Sequence, residues 1–144
     1  MDIAIGADHA GFLLKEDIKA YLESKGHNVT DFGTNSTDAI DYPEFGHKVA
    51  LSVLKGESEV GFTFCGSGNG INMTANKYQQ IRSALCWKKE IAILAREHND
   101  ANMCALPARF ISKDEAIEIV DAFLHTKFEG GRHERRVNKI PIEL

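Results

Sequence analysis

The chain has 144 residues, a net charge of −4 at pH 7 and a pI near 5.8. A hydrophobic content of 43% and a charged content of 26% predict one globular domain with a substantial core. The acidic balance argues against general nucleic-acid binding, and no apolar run approaches the roughly 20 residues that cross a bilayer.

Strand-like and helix-like segments alternate along the chain. The sequence predicts strands over 3–6, 27–32, 60–65, 83–86 and 103–106. Between them, apolar residues recur at helical spacing, most clearly over 114–124, where Val120 and Phe123 are expected to face inward. This alternation predicts an α/β fold with a five-stranded parallel sheet and helices on both of its faces.

The third predicted strand runs directly into a glycine-rich loop, Cys65-Gly66-Ser67-Gly68-Asn69-Gly70. Glycines let backbone N–H groups approach a ligand closely, and the helix expected from Ile71 onward has a positive N-terminal end that suits an anion. The same field is expected to lower the pKa of the Cys65 thiol. A thiol base beside an anion cradle indicates proton abstraction next to a carbonyl. The alternative is a glycine-rich turn with an inert, buried cysteine.

Polar residues also follow two other predicted strands, at the sheet edge where parallel sheets bind ligands. Asp8 and His9 come after the first strand, and Arg109 comes after the fifth. The segment 97–100 is polar throughout, and its His98 suits acid–base chemistry near pH 7. The alternatives are a helix cap at Asp8 and an exposed surface loop around His98.

The last segment, 128–144, is expected to form an arm rather than a core element. Its arginines at positions 132, 135 and 136 crowd into a short stretch that follows a pair of glycines. A helix would place Arg132 and Arg136 on one side, where their guanidinium groups suit a phosphate. The alternative is a solvated basic surface. An arm of this composition is also suited to pack on a second subunit.

The three cysteines, at positions 65, 86 and 104, predict neither a disulfide framework nor a zinc site. Their number is odd, they form no CxxC pair, and no two histidines have a convincing metal-ligand spacing. The N-terminal residues lack the basic region of a signal peptide. We therefore expect no metal and a reducing cytoplasmic location.

Several motifs, taken together and in order, resemble the ribose-5-phosphate isomerase type B family, which also includes galactose-6-phosphate and allose-6-phosphate isomerases. They are Gly6–Gly11, Asp41-Tyr42-Pro43, Cys65–Ile71, Ala75-Asn76-Lys77, His98–Asn102 and Gly130–His133. The resemblance covers essentially the whole chain. It implies one isomerase domain over 1–144, a Rossmann-like three-layer α/β/α sandwich with a C-terminal arm from about 128 to 144, and no cofactor. It also implies a homodimer, sometimes paired into a tetramer.

The resemblance implies an activity as well, the interconversion of ribose 5-phosphate and ribulose 5-phosphate in the pentose phosphate pathway. Cys65 would move a proton between C1 and C2 through a cis-enediolate, and His98 would open the furanose ring. Ser67, the third residue assigned to catalysis, keeps a hydroxyl where the family often has threonine. The expected substrate-binding residues are Gly66, Ser67, Gly68, Asn69 and Gly70 around the enediolate, Asp8, Asn99 and Arg109 along the sugar, and His9, Arg132 and Arg136 at the phosphate, with residues contributed across the dimer interface.

Other classes of function also fit the glycine-rich loop. A non-catalytic module would use the loop to hold a nucleotide or sugar phosphate, and a cysteine hydrolase would use Cys65 as nucleophile and His98 as base. Some isomerases of the family carry a glutamate further along the loop instead of this cysteine. Asn72 and Met73 offer no carboxylate here, so Cys65 is the expected base. Exchange of a substrate C–H proton with deuterated water separates the three classes.

Overall fold

The computed structural model describes residues 1–143 and contains all five predicted strands. The elements in chain order are β1 (Asp2–Ala7), α1 (Phe12–Ser24), β2 (Asn28–Asp31), α2 (Tyr42–Leu54), β3 (Val60–Cys65), α3 (Asn69–Ala75), β4 (Ser83–Leu85), α4 (Lys89–Asn99), β5 (Met103–Pro107), α5 (Lys113–His125) and α6 (Arg132–Val137). The predicted strand positions are confirmed, with ends that differ by at most one residue. None of the helices within 1–143 is both long and apolar enough to cross a membrane.

The strands form one parallel sheet in the order β2-β1-β3-β5-β4. Every residue of the central strand β3 is buried, which explains its continuous apolar run. The register pairs Ala7 with Phe64 and Cys65 with Pro107, so the carboxyl ends of β1, β3 and β5 lie side by side. The predicted five-stranded parallel sheet is confirmed.

Helices cover both faces of the sheet, and the strand side chains alternate between the two layers. Ile5 and Phe62 face the layer of α1, α4 and α5, whereas Ala4 and Met103 face the layer of α2 and α3. Cys65 also points to the second layer, where it packs with Phe45 of α2. The predicted three-layer α/β/α sandwich is confirmed.

The C-terminal segment contains α6, which packs against α4 of the same chain. Its His133 and Val137 are only 6% and 8% exposed. The expectation that this segment holds no core element is therefore wrong at these positions, because α6 buries one side of its surface as it packs against α4. Its packing on a second subunit stays a prediction.

The strand order reverses between β1 and β3. The chain moves outward from β1 to β2, and the later strands then lie on the other side of β1. At such a switch point the connections leave in opposite directions, which opens a crevice at the carboxyl ends of the strands. Asp8 follows β1 and Cys65 ends β3, so the sequence places both polar side chains at this crevice.

Candidate active site

A cavity of about 500 Å³ opens at the switch point. Seven of the predicted site residues line it: Asp8, His9, Cys65, Gly66, Ser67, Gly70 and Arg109. Three further lining residues, Ala10, Tyr42 and Phe110, were not among the predicted site residues. Gly68 is buried and Asn69 is exposed, and neither lines the cavity. The glycine-rich loop thus forms one wall of a pocket of small-molecule size.

The Cys65 side chain lies where β3 meets the loop and is 5% exposed. Burial raises the pKa of the Cys65 thiol, and the negative charge of Asp8 raises this pKa further. Backbone N–H groups of the loop and of Ile71 oppose the shift, but its net direction is upward. The predicted lowering of this pKa is wrong, because the loss of hydration outweighs the favourable backbone donors.

Asp8 is buried beside the strand that carries Cys65. Its backbone N–H donates to Phe64 O at 3.2 Å, which ties Asp8 to β3. Its Oδ1 accepts a hydrogen bond from Gly11 N at 3.1 Å, within the turn that precedes α1. Gly11 itself is the N-cap of α1, so the alternative that Asp8 caps this helix is wrong. The Asp8 carboxylate instead stabilises the turn through this hydrogen bond and lies at the cavity.

Arg109 brings a positive charge to the glycine-rich loop. Its backbone N–H donates to Gly66 O at 3.0 Å. Its guanidinium lies over the same glycine, since a Cβ on Gly66 would be 3.1 Å from Arg109 Nη1. A larger residue at position 66 would push the guanidinium away from the loop. The structure thus places one cation next to the backbone N–H groups of the loop, where an oxyanion or a phosphate would gain most from it.

Two contacts hold other parts of the cavity wall. His9 Nδ1 lies 3.1 Å from Ile40 N and 3.2 Å from Ile40 O, which fixes the loop before α2 near the cavity. The Tyr42 ring lies against Gly70. Tyr42 belongs to a motif of the family resemblance, Asp41-Tyr42-Pro43, and this motif was the available sequence signal for it. Phe110 follows Arg109 directly and is 74% exposed, a signal that becomes visible only in the structure.

Four predicted site residues lie away from this cavity. His98 and Asn99 end α4, which returns the chain to the amino end of β5. Met103, at the start of β5, pairs with Gly61 of β3. The amino end of β5 therefore lies four strand residues, or roughly 13 Å, from Cys65 along the sheet. Arg132 and Arg136 are exposed on α6, which packs on α4. Within one chain, the structure therefore forms two separate groups of predicted site residues.

His98 lies in a cluster of side chains whose separation along the sequence does not predict that they are close together. It is half-buried in the last turn of α4, so the alternative of an exposed loop is wrong. Its ring stacks on that of His133, with centroids 4.2 Å apart and planes 10° apart. His133 Nε2 lies 3.3 Å from Glu129 Oε2. We call His98, Glu129 and His133 the His98 cluster; it joins α4 to the segment that contains α6.

Asn99 contributes to a second cavity, of about 550 Å³, at the amino ends of β4 and β5. Arg82 and Ala101 also line it, as does Ile142 near the end of the described chain. Within residues 1–143, none of the residues that line this second cavity is a cysteine, an aspartate or a glutamate. The chemistry expected from the sequence therefore belongs to the cavity at the carboxyl ends.

The comparisons with known proteins fit this arrangement. The family model described as Ribose/Galactose Isomerase matches residues 3–140. The chain belongs to this family. The predicted resemblance is thereby confirmed over nearly the whole chain.

Individual members of the ribose/galactose isomerase family are similar to this chain along nearly their whole length. Ribose-5-phosphate isomerase B of Escherichia coli strain K12 is 45% identical over 138 residues, which cover 96% of this chain and 93% of that protein. The crystal structure of a ribose 5-phosphate isomerase from Thermotoga maritima matches with a TM-score of 0.96 and 50% identity, covering 97% of both chains. The Mycoplasma genitalium ribose-5-phosphate isomerase B, solved with bound ribulose-5-phosphate, matches with a TM-score of 0.93 and 45% identity over 96% of this chain and 93% of that one.

Proposed function

We propose that this chain is an aldose–ketose isomerase that interconverts ribose 5-phosphate and ribulose 5-phosphate in the pentose phosphate pathway. The observation that carries the proposal is the Cys65 thiol, which lies at the cavity and is surrounded by backbone N–H donors of its loop. Membership of the ribose/galactose isomerase family supports it. So does the relative from Mycoplasma genitalium, whose structure contains bound ribulose-5-phosphate.

In the proposed reaction, the Cys65 thiolate removes the proton from C2 of the open-chain aldose. The electron pair of the broken C–H bond forms the double bond of a cis-enediolate, and the thiol then returns the proton to C1 to give the ketose. Meanwhile, the hydroxyl proton at O2 is lost and a proton is gained at O1. The raised pKa of the buried thiol makes its thiolate a stronger base than an exposed one, although less of it is present at neutral pH.

The glycine-rich loop would stabilise the enediolate. Backbone donors aimed at a developing oxyanion typically contribute on the order of 3–4 kcal/mol each. The Ser67 side chain is exposed at the loop, and its Oγ accepts a hydrogen bond from Asn69 N at 3.2 Å, which leaves the hydroxyl proton free for a substrate oxygen. Arg109 over Gly66 would balance the negative charge of the intermediate. The loop, Ser67 and Arg109 therefore provide the oxyanion stabilisation that proton abstraction requires.

The distance between the two groups of site residues supports a site made by two subunits. One chain supplies the thiol and Arg109 at its cavity but holds His98, Arg132 and Arg136 at the other end of the sheet. We propose a homodimer whose two-fold axis brings the α4–α6 end of one subunit to the cavity of its partner. A two-fold interface makes two identical sites at once. His98 would then open the furanose ring, and Arg132 and Arg136 would bind the phosphate.

The test of the reaction class is proton exchange. Ribose 5-phosphate is incubated with the protein in deuterated water, and NMR follows deuterium at C1 of the ribulose 5-phosphate that forms and at C2 of the ribose 5-phosphate that remains. We expect exchange and turnover, both lost in Cys65→Ser. A covalent adduct on Cys65 with an acyl substrate would instead indicate a hydrolase, and binding without exchange would indicate a non-catalytic module. Parallel assays with allose 6-phosphate and galactose 6-phosphate test the substrate, and ribose 5-phosphate is expected to have the highest kcat/KM.

A further inference from the structure

The His98 cluster places three metal-binding side chains between α4 and the segment that contains α6. One ligand atom from each of His98, Glu129 and His133 lies within 4.8 Å of those of the other two. We propose that this cluster binds Zn²⁺, and that the bound ion withdraws His98 from the isomerase reaction. The second part of the proposal rests on the proposed function of His98.

The local structure holds these donors in place. Glu129 N donates to Glu97 O at 3.1 Å, which fixes the chain against α4 just before α6 begins. Gly130 and Gly131 then adopt φ angles of 70° and 56°, a turn that brings the Glu129 carboxylate back towards His133. His133 has a nearly buried side chain, whereas that of Glu129 is 51% exposed. Packing thus fixes one imidazole, and the carboxylate can adjust to an ion.

The donor set fits a transition-metal ion. Two imidazoles and one carboxylate are typical of zinc sites with an open fourth position, whereas Mg²⁺ and Ca²⁺ prefer oxygen ligands alone. Zinc–ligand bonds of about 2.0–2.1 Å keep tetrahedral ligand atoms about 3.3 Å apart. His133 Nε2 and Glu129 Oε2 already lie 3.3 Å apart. The ligand nitrogen of His98 lies within 4.8 Å of these two atoms. Because the His98 ring is stacked nearly parallel on that of His133, half-buried His98 must rotate out of the stack to aim this nitrogen at the ion, an approach of at most roughly 1.5 Å.

The surrounding charges set the strength of binding. Arg132, Arg135 and Arg136 are exposed on α6 and add positive charge near the ion. Repulsion from these guanidinium groups weakens the site relative to a structural zinc site. We therefore expect reversible binding that a chelator removes, rather than a permanently bound metal. An imidazole nitrogen that ligates Zn²⁺ has no lone pair left for proton transfer, so occupancy should inhibit turnover of the cyclic sugar.

The binding experiment titrates Zn²⁺ into the protein in competition with a chromophoric chelator. A Cys65→Ser background removes the cavity thiol as a second ligand, and Cys86 and Cys104 are fully buried. We expect saturable binding with one ion per chain. Glu129→Gln and His133→Gln should each weaken it by about tenfold or more. Glu134→Gln, which changes an exposed carboxylate on the same helix, is the matched control and should bind like its parent. Because Glu129 is exposed, its variant tests the site without disturbing the fold.

Absence of saturable binding, or equal affinity in Glu129→Gln and Glu134→Gln, would overturn the proposed site. The activity arm uses the protein with Cys65 intact and compares the Zn²⁺ concentration that halves the isomerase rate in each variant. We expect that concentration to rise about tenfold or more in Glu129→Gln, and a chelator to restore the rate. If Zn²⁺ binds through Glu129 but leaves the rate unchanged, the metal site stands and the role given to His98 is overturned. If the metal-free protein has no isomerase activity, the proposed function fails by itself, and the binding result still decides the metal site.

Discussion

The Tyr42 ring lies so close to Gly70 that a Cβ on the glycine would be 2.4 Å from ring atoms Cε1 and Cζ. Gly70 lies in the first turn of α3, and Tyr42 is the first residue of α2. Both residues line the cavity. The absence of a side chain at position 70 therefore sets where the aromatic wall of the cavity lies relative to the glycine-rich loop.

Gly70→Ala should displace the Tyr42 ring and change the cavity without unfolding the protein. The melting temperature should stay close to that of the parent, because alanine favours a helix over glycine by about 0.5–1 kcal/mol and offsets the displacement. We expect kcat/KM for ribose 5-phosphate to fall by about tenfold or more, equivalent to ~1.4 kcal/mol of transition-state stabilisation. Steady-state kinetics and thermal unfolding measure the two effects.

The control for Gly70→Ala is a double-mutant cycle with Tyr42→Ala. If the loss comes from the clash with the ring, adding Gly70→Ala to Tyr42→Ala should cost little more activity, since the ring is already gone. An equal cost in both backgrounds would contradict this explanation and would show that the alanine methyl itself disturbs the loop.

The position of Asp8 beside Cys65 predicts how the thiol titrates. Burial and the Asp8 charge both raise the pKa of Cys65, so less thiolate exists at a given pH than for an exposed cysteine. Alkylation by iodoacetamide requires the thiolate, so its rate should rise with pH and level off above the usual range of a cysteine. Asp8→Asn removes the like charge and keeps an acceptor for Gly11 N, so the alkylation profile should shift to lower pH.

The matched control for Asp8→Asn is Asp17→Asn on α1, which removes a carboxylate that is not part of the cavity lining. Its alkylation profile should coincide with that of the parent. Mass spectrometry should find the label on Cys65 alone, because Cys86 and Cys104 are fully buried. An unchanged or upward-shifted profile in Asp8→Asn would show that the Asp8 charge does not reach the thiol.

The parts of the fold that follow from local sequence were predictable. β3 is buried on both faces, so it appears as a continuous apolar run, and the glycines that follow mark the point where it ends. Asp8, Cys65 and Arg109 come at or just after strand ends, and in a parallel sheet such positions meet at one edge. This reasoning needs no knowledge of how the helices pack.

The parts that depend on packing between distant segments were not predictable. Burial raises the pKa of Cys65, and the packing of Phe45 of α2 against this cysteine does not follow from the loop sequence. The stacking of His98 on His133 depends on how α6 docks on α4, and spacing along the chain carries no information about that. Tyr42 stands in the family motif Asp41-Tyr42-Pro43, but its position in the cavity wall follows only from the contact of α2 with α3.

Two of the exposed arginines of α6, Arg132 and Arg136, are expected to bind the phosphate of the substrate. Replacing Arg132 or Arg136 with alanine removes a charge-assisted contact of roughly 1.5–3 kcal/mol, or about tenfold to hundredfold in kcat/KM. The loss should be much smaller with unphosphorylated ribose as substrate. Arg135→Ala, on the same short helix, controls for the loss of one positive charge and should change kcat/KM little. An equal loss for phosphorylated and unphosphorylated sugars would reject the phosphate role.

The separation of Cys65 from His98 within one chain predicts complementation between two inactive variants. Cys65→Ser and His98→Asn homodimers should both turn over ribose 5-phosphate poorly, because every site lacks either the base or the ring-opening group. When the two variants are co-expressed, about half of the dimers are mixed, and each mixed dimer has one site with both native residues. We expect about one quarter of the wild-type rate from such a mixture.

The complementation experiment uses two different affinity tags, so that mixed dimers can be purified away from the homodimers. Purified mixed dimers should then reach about half of the wild-type rate, since one of two sites is intact. The double variant Cys65→Ser, His98→Asn, mixed with wild-type chains, is the matched control. In those mixed dimers each site carries one native and one substituted residue, so a site shared between subunits predicts almost no activity. A site contained within one chain predicts the opposite result: no activity in the first mixture and half of the wild-type rate in the control.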